Sequence, residues 1–186
     1  MLANTPRGYT YPLYGDLTNP PAQIQDFAQD VDTDVEALVT RQTSALNRAS
    51  ARVSATANQS ITQNVTTFLT WATEEYDNAA MANLGVNNDR LTLTQTGIYL
   101  VTAEVNWSSN GNAVVGNRFA EFAPNLSPEK GDQSLRGAQN MDTEMSLVIL
   151  YQCVTAGDFI RVRVLQESGA ALNVSARSFS ATKVAD

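Results

Sequence analysis

Two adjacent glutamates, Glu74 and Glu75, with Asp77 close behind, are the nearest approach to a catalytic carboxylate pair in this sequence. Glycosidases need two carboxyl groups at a controlled separation on a concave surface. Adjacent side chains of a strand point to opposite faces, so Glu74 and Glu75 are not expected to share a substrate. The sequence contains no histidine, which excludes Ser-His and Cys-His nucleophile pairs and histidine-ligated metals. We therefore predict that the protein is not an enzyme.

The remaining reactive side chains favour structural roles. Cys153 follows an apolar strand-like run without basic neighbours, which predicts a buried, unreactive thiol. Trp71 and Trp107 lie on strand-like segments and are expected in the core or at a subunit interface rather than as a sugar-stacking platform. Arg161 and Arg163 alternate with apolar residues and so share one face of a strand. That face is either solvated or part of a charged ring that pairs with acids of a neighbouring subunit.

Composition and charge narrow the possible partners. The 186 residues include 12 Lys plus Arg and 19 Asp plus Glu, a net charge of −7, which argues against nucleic acid as a partner. The aspartates are too scattered for a calcium-binding loop, so no metal or other cofactor is predicted. No signal peptide and no membrane-spanning run is recognisable. We expect a protein that assembles in the cytoplasm of the cell that makes it and is neither secreted nor inserted into a membrane.

Proline and glycine divide the chain into three parts. Four of the six prolines fall before residue 22, no glycine occurs between Gly15 and Gly85, and later glycines are spread as expected for turns between strands. The sequence therefore predicts an extended segment at residues 1–20, a helix at 21–57 and a β-domain at 58–186.

The N-terminal segment is rich in tyrosine and proline but too short for a core of its own. It is either a solvated tail or an anchor that buries its aromatic side chains against another protein. We favour the anchor, because tyrosine provides a large contact area at low entropic cost. Its residues are Tyr9, Tyr11, Pro12, Leu13 and Tyr14.

The predicted helix has apolar or small residues at alternating spacings of four and three, as in a coiled coil. This seam consists of Ile24, Ala28, Val31, Val35, Leu38, Gln42, Ala45 and Ala49. The stripe can pack either on the β-domain of the same chain or on other copies of the helix. We favour a parallel coiled coil, since no other segment is helical enough to be its partner.

From residue 59 the apolar period changes to two, and short strands alternate with Gly, Asn and Asp turns. This pattern indicates a mainly β protein with an antiparallel sandwich, most simply a jelly roll. Residues 108–117 and 124–142 are rich in polar residues and glycine. We predict that they are the long loops of the domain and its candidate contact surface.

Residues 76–78, 90–93, 96–101, 154–162 and 178–180 together resemble the C1q/TNF-like jelly-roll family. The motif positions that carry this resemblance are Gly97, Tyr99, Gly157, Asp158 and Phe179. The resemblance implies a homotrimer, because jelly rolls of this family associate around a three-fold axis. Three parallel copies of the helix would then form a stalk.

The N-terminus is similar to the opening of minor tail proteins of tailed bacteriophages, in the sequence from Thr5 to Tyr9 and at residues 24–32. This resemblance implies a virion protein, a homotrimeric tail fibre or spike. It would dock to other virion proteins through its N-terminus and display a head that attaches to polysaccharide or protein of the host surface. A capsid head fibre or decoration protein is the alternative, and a polysaccharide-degrading virion enzyme is a third hypothesis.

Overall fold

The chain forms a helix followed by a β-sandwich. From Ser50 onward, polar residues alternate with small or apolar ones, and the first strand of the sandwich starts there. The computed structural model describes residues 3–4, 10–11, 20–108, 116–125, 130–137 and 141–186. Two units can be distinguished, Met1–Asn47 and Arg48–Asp186, and each is described by itself.

The first unit contains helix α1 at Pro20–Leu46, 27 residues or about 40 Å long. Proline suits the first helical turn, where its missing N–H would have no partner, so Pro20 and Pro21 mark the start. Two short strands, β1 at Ala3–Asn4 and β2 at Thr10–Tyr11, pair antiparallel before the helix.

The helix ends about ten residues earlier than its apolar spacing predicted. Ser50–Ala55 is strand β3, whose alternate residues Ala51, Val53 and Ala55 are buried. Ala49 also lies in the core of the second unit, so its assignment to the helical seam was wrong. The error has a physical cause, because residues at these positions fit both a helical period of about 3.6 and a strand period of two.

The second unit consists of strands β3 to β13. After β3 they are β4 Gln59–Ile61, β5 Thr67–Phe68, β6 Thr73–Asp77, β7 Arg90–Thr92, β8 Gly97–Ser108, β9 Gly116–Pro124, β10 Lys130–Gly137, β11 Thr143–Cys153, β12 Phe159–Gln166 and β13 Leu172–Ala185.

These strands form two antiparallel sheets. The six-stranded sheet has the order β11-β8-β13-β3-β6 with β4 beside β13, and the five-stranded sheet has the order β10-β9-β12-β5 with β7 beside β12. Strand β10 lies within residues 124–142, which were predicted to be a loop, so that prediction was wrong for Lys130–Gly137. As an edge strand that pairs only with β9, β10 needs no apolar sequence.

Aromatic side chains from both sheets meet in the core. Phe179 of β13 and Phe122 of β9 are fully buried, with ring centroids 6.1 Å apart, and the Trp71 ring lies 5.4 Å from that of Phe179. Such rings bury large apolar areas and gain further from tilted packing. The core therefore holds the two sheets face to face and leaves their outer faces for other roles.

Gly97 begins β8 with a backbone φ of +135°, and a Cβ there would lie 2.5 Å from the carbonyl oxygen of Ala185. We expect Gly97→Ala to lower the free energy of unfolding by about 1–3 kcal/mol, because it combines backbone strain with a clash. Urea unfolding measures this change. Gly85→Ala is the control, since its Cβ would meet nothing closer than 3.9 Å, and equal losses in both variants would contradict this explanation.

Candidate assembly surface

The outer face of the six-stranded sheet carries exposed aliphatic side chains at one end. The register of β8 and β11 places Leu100 opposite Leu150 and Thr102 opposite Val148. Leu150 is 67% exposed and Val148 63% exposed, and Leu100 is exposed beside them. We call Leu100, Val148 and Leu150 the apolar patch.

Small hydroxyl side chains continue this face across the sheet. The hydroxyl oxygens of Thr102 and Ser180 lie 2.8 Å apart, as do those of Ser50 and Thr182. These side chains already bond to one another, so covering them would leave few polar groups without partners. Their small size also keeps the surface flat.

The apolar patch follows from a strand that is apolar on both faces. In β11 the inward residues Met145, Leu147 and Tyr151 are buried, while Val148 and Leu150 point outward. A continuous apolar run of this kind is typical of a strand that is covered on both sides. That run is a signal that the sequence itself contains.

The outer face of the five-stranded sheet is different, because its charges are paired within the chain. The Arg161 guanidinium lies 3.8 Å from the ring centroid of Phe68, and that of Arg90 lies 4.2 Å from the centroid of Phe159. Asp89 accepts a hydrogen bond of 2.7 Å from Arg90 and lies 3.7 Å from Arg161. In this arginine–phenylalanine cluster Asp89 offsets one of the two arginine charges.

Ion pairing in the cluster also sets the protonation of Asp89. Burial alone would raise its pKa, but the hydrogen bond and charge of Arg90, with the charge of Arg161, hold the pKa below the usual aspartate value. Arg163 forms an ion pair with Glu121 on the neighbouring strand. The acids that face Arg161 and Arg163 therefore come from the same chain.

The helix presents a second apolar surface. Several large residues of its stripe are exposed, namely Ile24, Val35, Leu38 and Val39. A helix in water gains little stability from propensity alone and normally depends on burial of its apolar face. The stripe therefore has the character of a packing surface.

Comparison with solved structures identifies the fold of the second unit. Similar structures include murine APRIL at pH 5.0 (13% identity, TM-score 0.54, covering 74% of this chain and 99% of that one). PRD1 vertex protein P5 is also similar (18% identity, TM-score 0.53, covering 73% of this chain and 96% of that one). So is the globular domain of zebrafish complement 1qA protein (10% identity, TM-score 0.52, covering 74% of this chain and 97% of that one). The second unit therefore has the antiparallel jelly-roll fold that these structures share. Neither a protein-family model nor a curated protein matches the sequence.

The predicted motif residues of the jelly roll lie in its turns and core. The hydroxyl of Tyr99 donates to the carbonyl of Gln95 at 2.9 Å, and burial raises the Tyr99 pKa. The N–H of Gly157 donates to the carbonyl of Leu93, and the N–H of Leu93 donates to the carbonyl of Asp158. These contacts join the β7–β8 and β11–β12 connections. The motif therefore specifies the fold and provides no binding group.

Cys153 belongs to the same end of the jelly roll. Its thiol is buried and donates to the carbonyl of Thr155 at 3.2 Å. Burial, followed by the negative charge of Asp158, raises the pKa of the Cys153 thiol, so the reactive thiolate is disfavoured at neutral pH.

Several predicted sites lie wholly or partly outside the described residues. Of the anchor residues, Tyr9, Pro12, Leu13 and Tyr14 are outside, and the backbone of Tyr11 belongs to β2. Most of the first predicted contact loop, residues 108–117, is outside as well. The anchor and the contact loops remain predictions.

The carboxylates considered for catalysis are solvent-facing. Glu74 and Glu75 are exposed on β6, and Glu75 forms an ion pair with Arg52 at 2.9 Å. Among the described residues, no group of three His, Cys, Asp or Glu side chains could hold a metal ion. Within the same residues, no helix is long and apolar enough to cross a membrane.

Proposed function

We propose that the protein is a homotrimeric structural protein of a bacteriophage particle, a fibre or spike. Residues 1–20 dock it to other virion proteins, α1 forms a three-stranded stalk, and the jelly roll is the projecting head. The observation that carries this proposal is the apolar patch on the six-stranded sheet, which remains exposed in a single chain. Self-association would bury this patch and the helical stripe together.

The helix supports the same arrangement. Its seam residues Ile24, Val35 and Leu38 recur on one face and are exposed, so parallel copies would cover them. Gln42 and Ala45 continue the seam with smaller or polar groups, which makes the stalk marginal by itself. Three chains together also carry three times −7, or −21, charges that repel one another. The head must therefore contribute to assembly.

Two placements on the particle are compatible with this architecture. The resemblance of the N-terminus to minor tail proteins favours a tail fibre. The structural likeness to PRD1 vertex protein P5, which its name assigns to a vertex, favours a capsid head fibre or decoration protein. The likeness concerns the fold, and both placements need only an anchor and a projecting head.

A trimeric head would suit attachment to a host surface. Three identical sites on one particle bind a repeated cell-surface group with far greater avidity than one site, even where each contact is weak. Loops at one end of a rigid sandwich are the usual location of such sites.

The oligomeric state of the full chain tests the proposal. We expect light scattering to give about three times the 20.1 kDa chain mass, or about 60 kDa. A mass of 20.1 kDa across micromolar concentrations would contradict both the stalk and the head interface. Cross-linking of residues 9–14 to tail or capsid proteins in intact particles would then distinguish the two placements.

A further inference from the structure

A cavity of about 320 Å³ opens on the six-stranded sheet, at the opposite end of β8 from the apolar patch. The register places Asn106 beside Glu144 and Trp107 beside Thr143, about 20 Å along the strand from Leu100. Asn106, Trp107, Asp142, Thr143, Glu144 and Ser175 line the cavity. Its volume lies at the lower end of the roughly 300–1,000 Å³ that is usual for ligand pockets.

The lining provides hydrogen-bonding groups of both kinds. Asp142 and Glu144 contribute carboxylate acceptors, and the Asn106 amide both donates and accepts. The indole N–H of Trp107 is buried and has no acceptor among the described residues. Trp107 is fully buried, so its N–H is out of reach of a ligand in the cavity, and the Asn106 amide is the donor available to a ligand.

The charge of the lining selects the class of ligand. Among the described residues two carboxylates and no basic side chain line the cavity, with the buried Arg118 behind Thr143, so phosphate, sulfate and carboxylate ligands are disfavoured. A neutral, hydroxyl-rich ligand can instead donate to the carboxylates and accept from the Asn106 amide. Sugars have this chemistry.

Behind the cavity, a buried arginine fixes one wall. Arg118 is almost fully buried and donates to the hydroxyl of Thr143, which orients that side chain. Burial lowers the pKa of Arg118, and the negative charge of Asp142 partly opposes this shift. Because the charge of Asp142 acts on Arg118, Asp142 is unsuitable as a site for a test mutation.

We propose that this cavity binds one or two units of a neutral saccharide. The proposal rests on the proposed function, because it assigns a ligand class and a place to host-surface attachment. The cavity lies between the ends of the strands that flank residues 108–117 and 124–142, the two predicted contact segments. Trp107 offers no exposed ring for stacking. A single site therefore binds with a dissociation constant of about 1 mM or weaker, and three copies supply the avidity.

Chemical-shift titration of the isotopically labelled full chain tests this inference. The probes are the mono- and disaccharides of glucose, galactose, mannose, rhamnose and N-acetylglucosamine. We expect at least one sugar to shift the amide signals of Asn106, Glu144 and Ser175. In Asn106→Ala and in Glu144→Gln we expect binding to weaken about tenfold, the effect of one lost hydrogen bond to a charged or buried group. Glu74→Gln, on an exposed strand away from the cavity, is the matched control and should bind normally.

The alternative outcomes are separable. Shifts at these amides with calcium chloride but with no sugar would overturn the proposal in favour of a cation site. Absence of shifts with the whole panel would also overturn it. Light scattering on the same samples reports the trimer independently, so failure of the sugar site and failure of the proposed assembly can be told apart.

Discussion

Replacement of Leu150 by glutamate is expected to convert the proposed trimer into monomers. In the proposed assembly Leu150 and its neighbours Leu100 and Val148 are covered by another copy. A carboxylate at that position would lose its water without gaining a partner, which costs several kcal/mol per site. Every chain carries the change, so the association constant should fall by at least about a thousandfold. The mass from light scattering would drop from about 60 to 20.1 kDa.

A matched control separates this effect from a general effect of added charge. Val86 is 78% exposed and lies between β6 and β7, away from the apolar patch, so Val86→Glu should remain trimeric. Because Leu150 is exposed in the single chain, the Leu150→Glu monomer should keep the circular dichroism spectrum of a folded jelly roll. A Leu150→Glu protein with an unchanged mass would place the interface on another face.

The fold could be predicted because its main signals are local. Turn glycines such as Gly97 and Gly157, with apolar alternation in β8 and β12, predict antiparallel strands and their order along the chain. The end of the helix could not be predicted in the same way. Ala49 and Val53 fit the helical stripe as well as the strand, and the choice between them depends on burial against distant strands such as β13.

The candidate site was harder to predict than the fold, for a related reason. The outward positions of β11 include Glu144 and Ser146, so the alternation places Val148 and Leu150 outward as well. It does not show whether another chain covers them. The cavity depends on register, since Asn106, Glu144 and Ser175 come from three strands that are distant in sequence. Spacing along the chain carries no information about such a juxtaposition.

Buried arginines were a further feature that composition could not reveal. Arg177 is only 6% exposed, and its guanidinium donates to three backbone carbonyls, those of Thr70 at 2.8 Å, Ala57 at 2.9 Å and Val174 at 3.4 Å. Burial lowers its pKa. A planar group with five donors can satisfy carbonyls from several segments at once, which lysine cannot do.

Arg177→Met is expected to lower the free energy of unfolding of the jelly roll by about 3 kcal/mol. The variant leaves the carbonyls of Thr70, Ala57 and Val174 without this donor, at about 1–3 kcal/mol for each one that stays buried. Relief of the buried charge offsets part of this loss. Since small domains are stable by only about 5–15 kcal/mol, the change should be visible as a large shift of the urea midpoint.

The control for this measurement is Arg52, which lies on the same sheet and pairs with a side chain on a neighbouring strand. Arg52 and Glu75 form an exposed ion pair, with side chains 40% and 39% accessible, so Arg52→Met should cost less than about 1 kcal/mol. Both variants are best compared in the Leu150→Glu background, because unfolding of a monomer does not depend on protein concentration. Equal stability of Arg177→Met and Arg52→Met would mean that the cost of burying the Arg177 charge cancels its three hydrogen bonds. A difference of about 2 kcal/mol or more would show that Arg177 joins the segments around Ala57, Thr70 and Val174 into one cooperative unit.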